Sequence, residues 1–258
     1  MTKPQQKVIH GDCIKRMLEL GPETIDIAIT SPPYNIGIKY NQYADNLDQD
    51  SYLRWIESVF NELYRILSPN ASLFLNVGFT NALPWLPMDI ANVLRNKWRL
   101  QNSIIWAKSI SIQDRTFGHF KPINSNRFLN QNYEHLFHFT KSGRVAVDRL
   151  AIGVPFSDKT NIKRFGHKTD KRCNGNVWLI PYETIQNQDS RGHPCIFPEE
   201  LARRCILLHG IGPNTIVIDP FLGSGTTLVA CKKLGVAGIG IDIDKTYCKF
   251  AEDRITNS

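Results

Sequence analysis

The segment Asp219-Pro220-Phe221-Leu222-Gly223-Ser224-Gly225-Thr226-Thr227 constrains the fold more than any other part of this chain. It joins a β-branched run, Thr215 to Asp219, to a helical pattern, Thr226 to Leu234, and a second strand pattern follows at Ala237 to Asp242. Strand, glycine turn, helix and strand in that order form the half-unit of a nucleotide-binding α/β fold. The glycines let the backbone turn sharply and approach a ligand, and the helix start beyond them presents unpaired amides to an anionic group. Asp242, 23 residues after Asp219, ends the next strand, where a carboxylate can accept both hydroxyls of a ribose. Two familiar phosphate loops do not match. No lysine follows Gly225, as a P-loop requires, and Leu228 stands where the dinucleotide fingerprint has its third glycine. A purely structural glycine turn is the competing reading, and the Asp242 partner puts an adenosine-type cofactor ahead of it.

The start of the chain has the same architecture. Ile25 to Ile29 is a short β-branched run stopped by Thr30-Ser31-Pro32-Pro33, which predicts a buried strand feeding a loop. Leu53, Ile56, Phe60, Leu63 and Leu67 predict an amphipathic helix from Ser51 to Leu67, capped by Asp50 and ended by Ser68-Pro69. Strands at Ser72 to Val77 and Ser103 to Ala107 and a helix at Pro87 to Asn96 complete an α/β alternation, with Gly78 ending the first of these strands. Near the C-terminus, helices at Pro198 to Leu208 and Lys245 to Ile255 restore that pattern, the latter with Tyr247, Phe250 and Ala251 inward. Between the two halves, residues 108–192 are irregular apart from a strand at Glu134 to Thr140. The predicted organisation is one α/β domain in two halves, 1–107 and 193–258, with 108–192 as an irregular basic insertion.

Ser31-Pro32-Pro33-Tyr34 follows a strand end, where ligands bind in open α/β sheets. The prolines fix φ and remove N–H donors, leaving a rigid edge of carbonyl acceptors. A base amino group carries two N–H donors, so the Ser31 hydroxyl and the Pro32 carbonyl could hold it in one plane with its lone pair aimed outward. Tyr34 offers a face on which an extruded base can stack. On its own the loop also reads as a plain turn, and it acquires meaning beside the glycine loop.

Charge agrees with a polyanionic partner. Residues 108–191 hold 14 Lys/Arg against 7 Asp/Glu, whereas the remainder balances at 17 against 17. Six scattered cysteines without a Cys-x-x-Cys pair predict reduced, mostly buried thiols, with neither a zinc site nor a disulfide scaffold. No apolar run is long enough to span a bilayer and no secretory leader is legible, so a cytoplasmic location is expected.

With these motifs in hand, the sequence resembles the amino-methyltransferases of bacterial restriction–modification systems in their permuted, β-class order, with a Ser-Pro-Pro-Tyr catalytic loop. Gly11-Asp12-Cys13 resembles the motif whose acid receives the cofactor's adenine amino group, and Asp219 to Thr227 the methionine-binding loop. Gly240-Ile241-Asp242-Ile243 resembles the ribose-binding strand end, and His193 to Leu201, with Pro194 and Phe197, the motif that packs beside the methionine end. The resemblance implies a Rossmann-like, S-adenosylmethionine-dependent methyltransferase fold. It implies catalytic roles for Ser31, Pro32, Pro33 and Tyr34. It implies cofactor contacts at Asp12, Cys13, Thr30, Asp219, Phe221, Gly223, Ser224, Gly225, Thr226, Thr227, Asp242, Ile243, Pro194 and Phe197.

The expected partner is double-stranded DNA, its phosphates held by Lys159, Lys163, Arg164, Lys168, Lys171 and Arg172. A cognate restriction endonuclease and a homodimer are further expected partners. Pro194-Cys195 is also the dipeptide of carbon-5 cytosine methyltransferases, but here it opens a helix after a loop, so a nucleophilic role is not assigned. Serine in the catalytic loop favours the N4 amino group of cytosine. The N6 amino group of adenine is the alternative, and a non-catalytic DNA-binding subunit is a third reading of another class. No metal is required.

Overall fold

The computed structural model describes residues 4–119, 122–182 and 197–258. Its centre is an eight-stranded sheet. The first half contributes β1 (Gln6–His10), β2 (Ile25–Thr30), β3 (Leu67–Val77) and β4 (Arg99–Ala107). Farther along come β7 (Tyr133–Thr140), β8 (Val177–Leu179), β9 (Ile216–Asp219) and β10 (Ala237–Asp242), while β5 (Ser109–Ile112) and β6 (Arg115–Gly118) form a separate hairpin. The order across the sheet is β1-β10-β9-β2-β3-β7-β4-β8. Every pairing within it is parallel except those of β7, which runs antiparallel to both β3 and β4.

Helices cover both faces. Met17 of α1 (Cys13–Leu18), Ile56, Phe60 and Leu63 of α2 (Gln49–Ile66) and Ile90 of α3 (Leu86–Leu94) pack with Ala28, Leu73 and Leu75 on one side. On the other, Cys205 and Ile206 of α5 (Glu199–His209) and Cys231 of α6 (Thr226–Leu234) pack with Ile27, Ile29 and Phe74. Adjacent strand residues thus enter opposite cores, which is why these strands read as continuous apolar runs. The C-terminal helix α7 (Lys245–Thr256) buries Tyr247, Cys248, Ala251 and Ile255. Phe250, expected inward, is half-buried, and Cys248 takes the buried place beside Tyr247. Among the described cysteines, four are buried and Cys173 is exposed.

Two boundaries differ from the sequence reading for local reasons. Asp48, not Asp50, caps α2, accepting the Ser51 N–H at 2.9 Å, so Asp50 falls inside the first turn. After α2, Ser68-Pro69 does not delay the strand: β3 begins at Leu67 and the ladder to β2 skips from Ile25↔Leu67 to Ile27↔Ser72. The irregularity absorbs Pro69, which cannot donate to a ladder. Within the expected insertion, β7 lies inside the sheet and β8 closes its edge.

Candidate active site

The parallel strands all end at one edge of the sheet, and the candidate residues stand there. Thr30 ends β2, Asp219 ends β9 and Asp242 ends β10, while Asp12 follows β1 as the N-cap of α1. A cavity of about 540 Å³ opens along this edge. Its wall includes Ser31, Pro32, Pro33 and Tyr34 at one part and Asp12, Cys13, Phe221, Gly223, Ser224, Thr226, Asp242 and Ile243 at another. Both motif sets, distant in sequence, therefore share a single cavity.

The Ser-Pro-Pro-Tyr loop is held from below. The Tyr52 hydroxyl of α2 donates to the Pro33 carbonyl at 2.7 Å. Downstream, the buried Asp45 carboxylate accepts the backbone N–H groups of Asn35, Ile36 and Ile38 at 2.8, 3.1 and 3.0 Å. The side chain of Asn35, itself at φ +57°, bonds Leu47 through both its amide groups. Residues 35–47 thus form a closed loop over the cavity, and its Tyr43 stacks on Trp55 with centroids 5.4 Å apart. Trp55 in turn lies 5.5 Å from Phe221 of the glycine loop, extending one aromatic wall between the two motif sets.

At the other side of Tyr34 is a polar group that sequence reading did not find. The Tyr34 hydroxyl lies 2.8 Å from Ser31 Oγ and donates to Glu134 Oε2 at 3.2 Å. Asn76 Nδ2 donates to the Tyr34 oxygen at 3.1 Å and to Glu134 Oε2 at 2.6 Å. Lys108 Nζ pairs with Glu134 Oε1 at 2.5 Å and sits 5.0 Å from the Trp106 ring centroid. Antiparallel β7 explains the meeting: its first residues lie where β3 and β4 end, opposite Val77 and Ala107. Gly78 is required by closeness, since a Cβ there would meet Tyr34 Cε2 at 2.8 Å and the Glu134 carboxyl carbon at 3.1 Å.

The glycine-loop half is equally organised. Asp242 Oδ2 accepts the Gly223 N–H and Oδ1 the Asp244 N–H, each at 2.8 Å. Each oxygen keeps a lone pair for a further donor. Burial pushes the Asp242 carboxyl above the usual carboxylate range. Gly225 caps α6 at φ +80°, and a Cβ on it would meet Ala251 Cβ at 2.8 Å, so the turn and its packing on α7 both call for glycine.

Asp219 is buried and does not line the cavity. Its Oδ1 accepts Thr30 Oγ1 at 2.9 Å and Phe221 N–H at 3.1 Å, and its Oδ2 accepts Thr227 Oγ1 at 2.7 Å. Burial raises its carboxyl to about 6 against the opposing hydrogen bonds. Thr30, Asp219, Gly225 and Thr227 therefore stand behind the wall and shape it. Burial also raises the Cys13 thiol, to about 12, which leaves it an unreactive wall residue at neutral pH.

The wall suits an adenosyl ligand. Two carboxylates, Asp12 and Asp242, can accept amino or hydroxyl donors, and the aromatic series provides flat apolar contact. Tyr43 Oη, also in the wall, is buried with no hydrogen-bond partner among the described residues. Phe197 lines the cavity, whereas Pro194 and the remainder of 193–196 fall outside the described residues. No metal-ligand cluster occurs among the described residues, and no helix among them is long and apolar enough to cross a membrane.

The six basic residues expected to hold DNA are all exposed and cluster about α4 (Thr160–Arg164). Lys159 pairs with Asp170 at 2.5 Å, and Arg164 lies 5.5 Å from the exposed Phe165 ring. Lys163 lies in the last turn of α4, Lys168 and Lys171 follow on its exposed connection, and Arg172 bonds Val154 through the backbone. A second excursion, 109–131, leaves and rejoins the sheet at the cavity edge, where Lys108 N–H donates to Asn132 O at 2.7 Å. It exposes Phe117, Phe128 and Leu129, the last at 90%, beside Arg115 and Arg127.

Fold and site together define a Rossmann-like methyltransferase whose glycine loop and Ser-Pro-Pro-Tyr loop share one edge of the sheet. Within that class, residues 25–253 match the N6_N4_Mtase family, DNA methylase, and the chain belongs to it. It is thus a DNA methyltransferase, of a family that draws its methyl group from S-adenosylmethionine. Type II methyltransferase M.HpaI of Haemophilus parainfluenzae is 29% identical, the match covering 97% of this chain and 74% of that one. DNA adenine methyltransferase YhdJ of Escherichia coli is 24% identical over 96% of this chain and 82% of its own. Among solved structures, PvuII DNA methyltransferase (cytosine-N4-specific) aligns with a TM-score of 0.70 at 17% identity, covering 98% and 89%. The putative DNA modification methylase TTHA0409 of Thermus thermophilus, complexed with S-adenosyl-L-methionine, aligns at 0.66 with 22% identity, covering 98% and 94%.

Proposed function

We propose that this chain is a sequence-specific DNA methyltransferase of the restriction–modification type, modifying the N4 amino group of a cytosine flipped out of double-stranded DNA. The observation that carries the reading is the single cavity shared by Ser31-Pro32-Pro33-Tyr34 and the glycine loop with Asp242. The cofactor, when bound, supplies a methyl group on a sulfonium centre that is already electrophilic. Asp12, Phe221, Gly223, Ser224, Asp242 and Ile243 would hold it. What remains for the chain is to hold the amine in line and exclude water.

Ser31 Oγ accepts one amino hydrogen of the base and the Pro32 carbonyl the other. Tyr52 engages the Pro33 carbonyl, and Pro32 itself lines the cavity. Asn76 Oδ1, a buried acceptor without a partner among the described residues, stands in the same wall. The Tyr34 ring stacks on the base. The base must leave the duplex, because its amino group cannot reach the site while stacked. Phosphate contacts fall to Lys159, Lys163, Arg164, Lys168, Lys171 and Arg172, and the exposed Arg115 and Arg127 add to them. A cognate endonuclease and a homodimer fit a protective role of this type.

Two features support cytosine. Ser31 is a neutral, single acceptor. Beside it, the Lys108 ammonium faces the cavity with donors beyond the one given to Glu134. Next to its amino group cytosine presents N3 and then O2, both acceptors, whereas adenine presents N1 and then a C–H. The adenine reading is kept by the similarity to YhdJ. A transfer assay decides: radiolabelled S-adenosylmethionine is incubated with unmethylated genomic DNA and the protein, and the digested nucleosides are separated. Label in N4-methylcytosine is expected. Label in N6-methyladenine replaces the base assignment, and no label despite cofactor binding removes the catalytic reading.

A further inference from the structure

We propose that Glu134 and Lys108 are positioning residues that turn Ser31 into an acceptor-only side chain. The inference rests on the reading of Ser31-Pro32-Pro33-Tyr34 as the loop that holds the amino group.

A serine hydroxyl is ambivalent, with one donor hydrogen and two acceptor lone pairs. A base amino group offers only hydrogens, so a Ser31 proton facing the cavity would repel it. The bonds around Tyr34 remove that ambiguity by counting hydrogens. Glu134 accepts from Lys108 on Oε1 and from Asn76 on Oε2, which holds it as a carboxylate acceptor. The single Tyr34 hydroxyl hydrogen has two acceptors besides Ser31, the Asn76 backbone carbonyl at 3.5 Å and Glu134 Oε2 at 3.2 Å, and the nearer, charged carboxylate is the stronger. With that hydrogen committed, the 2.8 Å contact between Ser31 Oγ and Tyr34 Oη needs its hydrogen from Ser31. Ser31 becomes the donor to Tyr34 and presents lone pairs alone to the cavity. Polarity thus runs from Ser31 to Tyr34 to Glu134, and the Lys108 ammonium fixes the far end.

The surroundings fit a device built for this purpose. Glu134 and Lys108 side chains are 14% and 23% exposed, dry enough to strengthen the pair while leaving both on the cavity wall. Gly78 provides the clearance that lets the Tyr34 ring and the Glu134 carboxylate approach one another. An aspartate in place of Ser31 would need no such help, because a carboxylate is acceptor-only by itself. The arrangement therefore gives a neutral serine the one-way character of a carboxylate without a charge against the base.

A double-mutant cycle tests this through methyl transfer at saturating cofactor, with genomic DNA as substrate. E134Q keeps the shape of Glu134 but frees the Tyr34 hydrogen to turn toward Ser31. It is expected to slow single-turnover transfer on the order of 10- to 100-fold, with cofactor affinity changed less than about twofold because no cofactor contact is lost. Y34F breaks the same link, so E134Q should add less than about threefold in a Y34F background. In an S31N background the amide oxygen is a fixed acceptor, and E134Q should again cost less than about threefold. Full multiplicative loss in the Y34F background, or a cofactor affinity that falls with the rate, overturns the proposal. If the wild-type protein itself transfers no label, the underlying function fails instead, and the two failures remain distinct.

Discussion

Away from the cavity, four residues form a hydrogen-bonded chain with His138 and Ser72 buried at its centre. Asn102 Nδ2 meets His138 Nδ1 at 2.8 Å, His138 Nε2 meets Ser72 Oγ at 3.0 Å, and Ser72 Oγ meets His209 Nδ1 at 2.9 Å. One assignment of hydrogens satisfies all three: Asn102 donates to His138, His138 to Ser72, and Ser72 to His209, both imidazoles being neutral. His138 is fully buried and stacked on Phe74, with centroids 4.5 Å apart. Burial, then the neighbouring His209, lowers it from 6.5 to about 4.

A depressed folded value means that the unfolded chain binds the proton first. Stability is therefore full above pH ~6.5 and declines as pH falls toward ~4, where it levels off. At ~1.36 kcal/mol per unit the full contribution is about 3 kcal/mol, and about 2 kcal/mol of it is lost by pH ~5. Asp219, raised from 3.8 to about 6, acts with the opposite sign, so the total pH dependence mixes the two. Comparison with H138Q isolates the histidine. H138Q is less stable at pH ~7.5 through lost packing, and its deficit relative to wild type should shrink by about 2 kcal/mol at pH ~5. Urea unfolding of both proteins at the two pH values measures this. A deficit that stays constant would refute a neutral, proton-excluding His138.

The remaining predictions concern the cavity. Asp242→Asn should raise the cofactor dissociation constant by about tenfold or more, because one charged acceptor becomes an amide donor. Isothermal titration with S-adenosylmethionine reads it, and unchanged affinity would remove the ribose role. Gly78→Ala should slow transfer on the order of tenfold while leaving cofactor affinity intact, since its Cβ would displace Tyr34 and Glu134 and no group of the glycine loop. An alanine variant as fast as wild type would mean that the clearance at position 78 is not used.

Features that depend on neighbours along the chain were legible from residue order alone. Strand β9, its glycine loop, α6 and β10 fall where turn chemistry and apolar spacing put them, α6 and β10 to the residue. Ser31-Pro32-Pro33-Tyr34 stands after a strand end as its prolines require. The burial of the run Ile25 to Ile29 was likewise legible from composition.

Long-range pairing set the rest. Glu134 is 100 positions from Tyr34 and 58 from Asn76, and no local pattern links them. They meet because β7 runs against its neighbours, and strand direction is set by long-range pairing that a single strand's sequence does not encode. The same limit hid the packing of Asp219. Its place in the motif was visible, but its three partners lie on β2, the turn and α6, so its carboxylate braces the wall from behind. Residue type and spacing identify which groups can do the chemistry, whereas the sheet's topology selects which of them stand together.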